Sequence, residues 1–209
     1  MAEMDALCAL GSLAIGYACG NFLTADVVSR RRCGKSAFDL GVGNPGMANV
    51  GHELGKGAAV EVLAGDILKT VASFALARVA FPAAADAAGT IAVLGTTLGH
   101  NYPAWHRFKG GKGVTTTCSG IILASPLLGS VASIAGFATV LATGYLCRGA
   151  MAIPLCYTVL EALFGSWGKA FFGLVLSVLM YLAHGDAIRG IATGETPRAA
   201  IAKRFRRRG

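Results

Sequence analysis

In the run from His100 to Val114, Lys109 and Lys112 flank Gly110 and Gly111, with Gly113 just beyond. Glycine lets the backbone approach a ligand closely, and successive N–H groups can then surround an anion. The two lysines add mobile cations to the same few residues. The chemistry is recognition of a phosphate-sized anion. A nucleotide-type phosphate loop is a different pattern: no glycine precedes at the required spacing, and neither Ser nor Thr follows Lys112 directly. A basic patch for lipid headgroups would explain the lysines, but not the glycines between them.

Two further segments are rich in polar groups. The first holds Gly41, Gly43, Asn44, Gly46, Asn49, Gly51 and His52. Carboxamides accept protons from hydroxyls and donate to phosphate oxygens, so Asn44 and Asn49 are candidate substrate contacts. A Gly/Asn turn joining two helices is the plainer alternative. The second runs from His184 to Thr196 and includes Arg189. His184 is expected where the last apolar helix ends, as a site residue or as a simple C-terminal cap. Asp66 and Lys69 lie three apart, a spacing that puts both on one helix face. A structural ion pair and a substrate contact are both open there, since charges inside a membrane face a polar interior.

The elements that position these segments are membrane helices. Apolar residues make up 54% of the 209 and charged residues 14%, well below the soluble share of about 25%. Apolar segments cover residues 6–23, 58–80, 85–98, 114–128, 131–146, 150–164 and 170–183. The fold class expected is all-α: one polytopic domain over residues 1–209 with seven transmembrane helices. Arg30, Arg31, Arg32, Lys35 and Lys56, then Arg107, Lys109 and Lys112, then Arg148, then Arg189 and the tail fall on one side of such an arrangement. The positive-inside rule makes that side cytoplasmic. The N-terminus then lies outside and the C-terminus inside, and residues 6–23 read as a retained first helix. The three polar segments form the loop 30–56, the loop 99–117 and the tail from His184, all on one membrane face.

The net charge of +8 lies in short clusters between apolar segments, a pattern that argues against nucleic acid. The basic run at residues 203–208 suits an anionic lipid surface. The six cysteines form no CxxC pair, so neither a disulfide framework nor a metal site is implied.

Taken together, these segments resemble the bacterial membrane acyltransferases that move an acyl group from acyl-phosphate to glycerol 3-phosphate. The resemblance spans nearly the whole chain. It includes Gly11, Ser12, Gly16 and Tyr17, then Gly55 and Lys56, then Asp66 to Lys69. Gly99, His100, Pro103, Phe108, Lys109, Gly110, Gly111, Lys112, Gly113 and Val114 match one family signature almost completely. Gly41, Gly43, Asn44, Gly46 and Asn49 match another, with Val42, Ala48 and His52 where the family has serine, threonine and arginine. His184, Ile188 and Gly194 match a third, with Ala187 and Gly190 in place of asparagine and arginine.

The resemblance implies a multi-pass protein of the bacterial inner membrane, with seven spans and its signature loops on the cytoplasmic side. It implies acylation of the 1-position of glycerol 3-phosphate, giving lysophosphatidic acid for phospholipid synthesis. On this reading the catalytic residues are Asn44, Asn49 and His184. Phosphate contacts are His100, Lys109, Gly110, Gly111, Lys112, Gly113, His52 and Arg189. No cofactor and no metal is expected. The partners are acyl-phosphate, glycerol 3-phosphate and membrane lipids, and a monomer is expected. Loss of hydroxyl, carboxamide and guanidinium groups leaves a second reading open: a divergent relative with a changed acceptor or no catalysis, binding phosphate or lipid. A small transporter lined by Asp66 and Lys69 is the third reading, though no inverted repeat is visible.

Overall fold

The structure, a computed structural model, describes residues 5–199; the basic run at 203–208 lies outside them. Among the described residues every regular element is helical. The chain divides into two compact units, Met1–Gly120 and Ile121–Gly209.

In the first unit, α1 (Ala6–Gly20) packs tightly along α5 (Ala85–Asn101). Glycines allow it. Gly16 and Gly20 on α1 face the backbone of Ala92 and Thr96, while Gly95 and Gly99 on α5 face the backbone of Leu13 and Tyr17. A Cβ on Gly16 would stand 2.7 Å from the Ala92 carbonyl carbon, too close for any side chain. Each helix thus carries a glycine pair four residues apart, the spacing that brings membrane helices into backbone contact. α4 (Lys56–Ala80) completes the group, with Ala77 packed among Cys8, Ala88 and Ala92.

Two short helices were not legible in the sequence. α2 (Thr24–Cys33) and α3 (Met47–Leu54) occupy much of what reads as a polar loop. They form because Ala25, Val28 and Val50 can bury against Ala58 and Val62 of α4. Gly34, in the left-handed conformation at φ 72°, ends α2.

The apolar segment 114–128 also departs from the expected single span. α6 (Val114–Ala124) stops after 11 residues, a rise of about 16 Å. Ser125 leaves the helical conformation, and Pro126 opens α7 (Pro126–Thr143), because a proline N has no proton to continue the ladder.

In the second unit, α7 and α8 (Leu146–Phe164) cross where Gly136 and Gly149 meet Ile153 and Val140. α9 (Trp167–Thr193) packs on α8 through an edge-on Tyr157–Phe172 pair. Glu161 accepts the Ser166 N–H at 3.0 Å and closes the turn between them. The expected end of the last helix at residue 183 is corrected: α9 continues ten residues further, to the left-handed Gly194. No proline interrupts it, so the polar residues after His184 simply extend the helix.

Stretches 6–33, 126–143, 146–164 and 167–193 are each long and apolar enough to cross a membrane. The chain is a multi-pass membrane protein.

Candidate functional site

The end of α5 and the start of α6 set the frame of the cationic glycine run. Tyr17 donates its hydroxyl to the Tyr102 carbonyl at 2.8 Å, and Asn21 accepts the Ala104 N–H at 2.6 Å. The closely packed α1 thereby holds the chain as it leaves α5. Arg107 and Phe108 both adopt left-handed backbone, at φ 55° and 58°. Such conformations cost non-glycine residues about 1–3 kcal/mol each and persist only where the surroundings enforce them. Here the Phe108 N–H donates to the Pro103 carbonyl and the Lys109 N–H to the His106 carbonyl. The chain thus doubles back onto α5.

Gly110, Gly111 and Gly113 lie flat against the residues that end that helix. A Cβ on Gly110 would meet the Asn101 carbonyl oxygen at 2.8 Å and Pro103 Cδ at 2.5 Å. One on Gly111 would strike the His100 ring, 2.8 Å from Cε1 and nearer still to Nε2. The Gly111 N–H donates to the His100 carbonyl at 3.0 Å. Gly113, at φ 74°, starts α6, and its carbonyl accepts the Thr117 N–H at 2.9 Å. The leading amides of α6 therefore follow directly on Lys112. A helix start carries unpaired N–H groups and the positive end of the dipole, which suits an anion. Lys109 is exposed, Lys112 half-buried.

His100 itself sits beneath the loop, at only 4% exposure. Its Nδ1 is 2.8 Å from Lys69 Nζ. Lys69 also pairs with Asp66 at 2.8 Å and donates to the Phe22 carbonyl at 3.0 Å. Asp66 and Lys69 thus form a buried structural pair, extended to an imidazole that sequence spacing alone does not link to them. Asn101, next along, is buried with its carboxamide against Gly113.

The Gly/Asn segment is folded by its own side chains. Asp26 on α2 accepts from Ser36 Oγ at 2.6 Å, the Ala37 N–H at 3.0 Å and Arg30 Nε at 2.8 Å. Asn49 reaches back from α3, donating to the Leu40 carbonyl at 2.9 Å and accepting the Val42 N–H at 3.1 Å. Its carboxamide is committed to the turn at Gly41, whose φ is 49°. Asn44 is half-buried at the turn's end, and Val42 projects at 84% exposure. His52 is exposed and its Nδ1 lies 2.8 Å from Glu53. Phe38 packs on His106 with ring centroids 5.3 Å apart. The structure thus brings the first polar segment against the second. Arg31 and Arg32 both pair with Glu61.

In the second unit, His184 is buried within α9, with Nδ1 3.0 Å from the Met180 carbonyl. It is a mid-helix residue, not a cap. Arg189 is exposed and lies 3.5 Å from Asp186. Gly190, where the resembling family has arginine, is covered by Thr196. The Thr196 hydroxyl donates to the Ala187 carbonyl at 2.6 Å, and its N–H donates to the Gly190 carbonyl at 3.0 Å.

Comparison with known proteins shows the family and the fold. A family model described as glycerol-3-phosphate acyltransferase matches residues 10–194. Glycerol-3-phosphate acyltransferase 1 of Lactobacillus johnsonii is 31% identical over 191 residues, covering 91% of this chain and 92% of that protein. Its namesake in Deinococcus radiodurans is 34% identical over 190 residues, covering 90% and 94%. The fold is that of the crystal structure of PlsY (YgiH), an integral membrane glycerol 3-phosphate acyltransferase, in its glycerol 3-phosphate form. The TM-score is 0.82 at 24% identity, over 94% of this chain and 98% of that one. The lysophosphatidic acid form matches at 0.81.

Proposed function

The chain belongs to the glycerol-3-phosphate acyltransferase family, and from that premise we propose how it works. It transfers a fatty acyl group to the 1-position of glycerol 3-phosphate and releases lysophosphatidic acid for phospholipid synthesis. The donor is acyl-phosphate, a mixed anhydride already activated for attack, so no acyl-enzyme has to form.

The observation that carries the reading is the cationic glycine run seated at the start of α6. Lys109, Lys112 and the amides around Gly110, Gly111 and Gly113 hold the phosphate that leaves, and neutralise its charge as the acyl–oxygen bond breaks. Preorganised charge of this kind is the largest single contribution in many acyl transfers. Asn44 orients the acceptor. Asn49 acts through the turn it holds. His100 is the loop's support from below, and the exposed His52 offers a further ring contact for phosphate.

The protein functions as a single membrane-embedded domain and a monomer in the bacterial inner membrane, in contact with its lipids. It has seven spans, with the N-terminus outside and the C-terminus in the cytoplasm. Support comes from the six apolar segments that correspond to single helices, with 114–128 divided between α6 and the start of α7, and from the clustering of Arg and Lys on alternate connections. Purified protein given acyl-phosphate and labelled glycerol 3-phosphate should form labelled lysophosphatidic acid. Absence of acylated product, with a related enzyme active in parallel, would overturn the assignment.

A further inference from the structure

The reaction as described uses Lys109 and Lys112 but leaves the buried charges of α4 without a task. Asp66 and Lys69 have side chains only 4% and 5% exposed. Lys69 Nζ meets three groups: Asp66 Oδ1 at 2.8 Å, the Phe22 carbonyl at 3.0 Å and His100 Nδ1 at 2.8 Å. Thr24 donates its hydroxyl to the same Asp66 oxygen at 3.3 Å. Three acceptors use all three protons of an ammonium group.

A buried ion pair is a poor source of stability, since apolar residues of similar volume often do as well. An ion pair also needs only its two members. Lys69 spends its third proton on a ring nitrogen at the end of another helix, and that ring lies directly under the phosphate loop. An ammonium only donates, so Nδ1 of His100 carries a lone pair. The proton of the neutral ring then sits on Nε2. Nε2 is the atom that a side chain at Gly111 would strike first. The bare glycine lets the N–H edge of the imidazole pack directly against the loop backbone.

We propose that Lys69, held by Asp66, is a positioning residue: it fixes His100 as the Nε2–H form packed edge-on against Gly111, and through that ring it sets the loop that carries Lys109 and Lys112. The inference rests on reading that loop as the phosphate site. Lys69 touches no substrate and acts only through the ring.

The test is spectroscopic first. Full-length protein is labelled with nitrogen-15 histidine in detergent, and the His100 signals are assigned from their loss in His100→Gln. Wild type should show a protonated Nε2 and an unprotonated Nδ1, and Lys69→Met should convert this to mixed tautomers. A wild-type ring protonated at Nδ1, or a Lys69→Met spectrum identical to wild type, overturns the proposal. Should Lys69→Met fail to fold, Lys69→Gln takes its place; its carboxamide offers Nδ1 both a donor and an acceptor, so mixed tautomers should again appear, and a spectrum identical to wild type overturns the proposal. These signals need no turnover. An inactive wild type would therefore reject the acyltransferase reading and leave the tautomer question decided separately.

The kinetic arm uses the same variants. Lys69→Met should raise KM for the phosphate substrate held by the loop about tenfold, with kcat within about threefold. In the His100→Gln background the side-chain amide supplies an N–H without tautomers. The same change there should raise KM less than about threefold. Equal effects in the two backgrounds would show that Lys69 does not act through His100.

Discussion

Gly111→Ala is the most informative single change, because the structure separates its steric effect from every backbone effect. The φ of Gly111 is not among the positive values, so alanine meets no intrinsic strain there. The whole cost is the encounter with His100, whose Cε1 and Cδ2 would lie 2.8 and 3.0 Å from the new methyl, with Nε2 closer. To reach ordinary contact the ring must retreat by on the order of 1 Å. It cannot do so and keep the 2.8 Å bond from Lys69. A lost hydrogen bond to a charged group costs about 1.5–3 kcal/mol. At about 2–4 °C per kcal/mol for a chain of this size, melting in detergent should fall by roughly 3–12 °C.

Activity should fall with it, because the loop is displaced along with the ring. The decisive comparison is the same change made in His100→Ala. With the ring removed, the alanine at 111 has space, and its added cost should shrink below about 0.5 kcal/mol. The coupling between the two sites should therefore be about 2 kcal/mol. If Gly111→Ala costs the same in both backgrounds, the loop does not rest on the imidazole and the reasoning fails.

Other outcomes follow from the same geometry. Gly16→Ala forces a methyl into the Ala92 backbone, which cannot yield; we expect at least about 2 kcal/mol of destabilisation, checked by thermal melting against Gly168→Ala. Gly168, in the first turn of α9, has nothing within 4 Å of a new Cβ, so that control should hold or raise stability by up to about 1 kcal/mol. Asp26→Ala strips the acceptor from the buried Ala37 N–H and from Ser36, and should cost about 2 kcal/mol with a loss of activity, since the Gly/Asn turn loses its anchor. Val42→Ser with Ala187→Asn restores two polar groups of the family signatures, and kcat/KM for glycerol 3-phosphate should rise about tenfold or more; a double variant no better than its parent would show that these positions do not limit recognition of the acceptor.

The membrane helices were legible because long apolar runs leave little choice, and six of the seven segments correspond to single helices. The break near residue 125 was marked by Pro126, but the surrounding apolar run hid it. The short helices α2 and α3 were hidden for another reason. α2 contains Arg30, Arg31 and Arg32 and α3 contains two glycine-flanked turns, and only their packing on α4 makes them helical. Likewise, nothing local told that His184 lies inside a helix. A histidine after a long apolar run looks like an end, and the helix ends only where Gly194 turns left-handed. The spacing of Asp66 and Lys69 put them on one helix face but left a structural pair and a substrate contact both open, and the structure pairs them. Their link to His100, 31 residues further along the sequence from Lys69, is a tertiary fact with no local signal. The glycine pairs at 16, 20, 95 and 99 could have found the α1–α5 contact, since each repeats at the four-residue spacing of close-packed helices.

A family signature marks residues without saying which of them meet the ligand, and the geometry of this chain divides them. Asn49 spends its carboxamide on the Leu40 carbonyl and the Val42 amide, and His100 gives one ring nitrogen to Lys69. Gly110 and Gly111 are glycine because the end of α5 leaves no room for a methyl. These residues build the frame. Lys109 and Lys112, by contrast, carry charge at exposed and half-buried positions with no ion pair among the described residues. They are the groups free to meet a phosphate. Substitutions in the frame should therefore lower stability and activity together. Lys109→Gln and Lys112→Gln should leave the melting temperature within about 2 °C, as surface changes do, while kcat/KM falls by about tenfold or more, as befits the loss of a charged phosphate contact. A lysine variant that melts early, or that keeps full activity, would place that residue on the other side of the division.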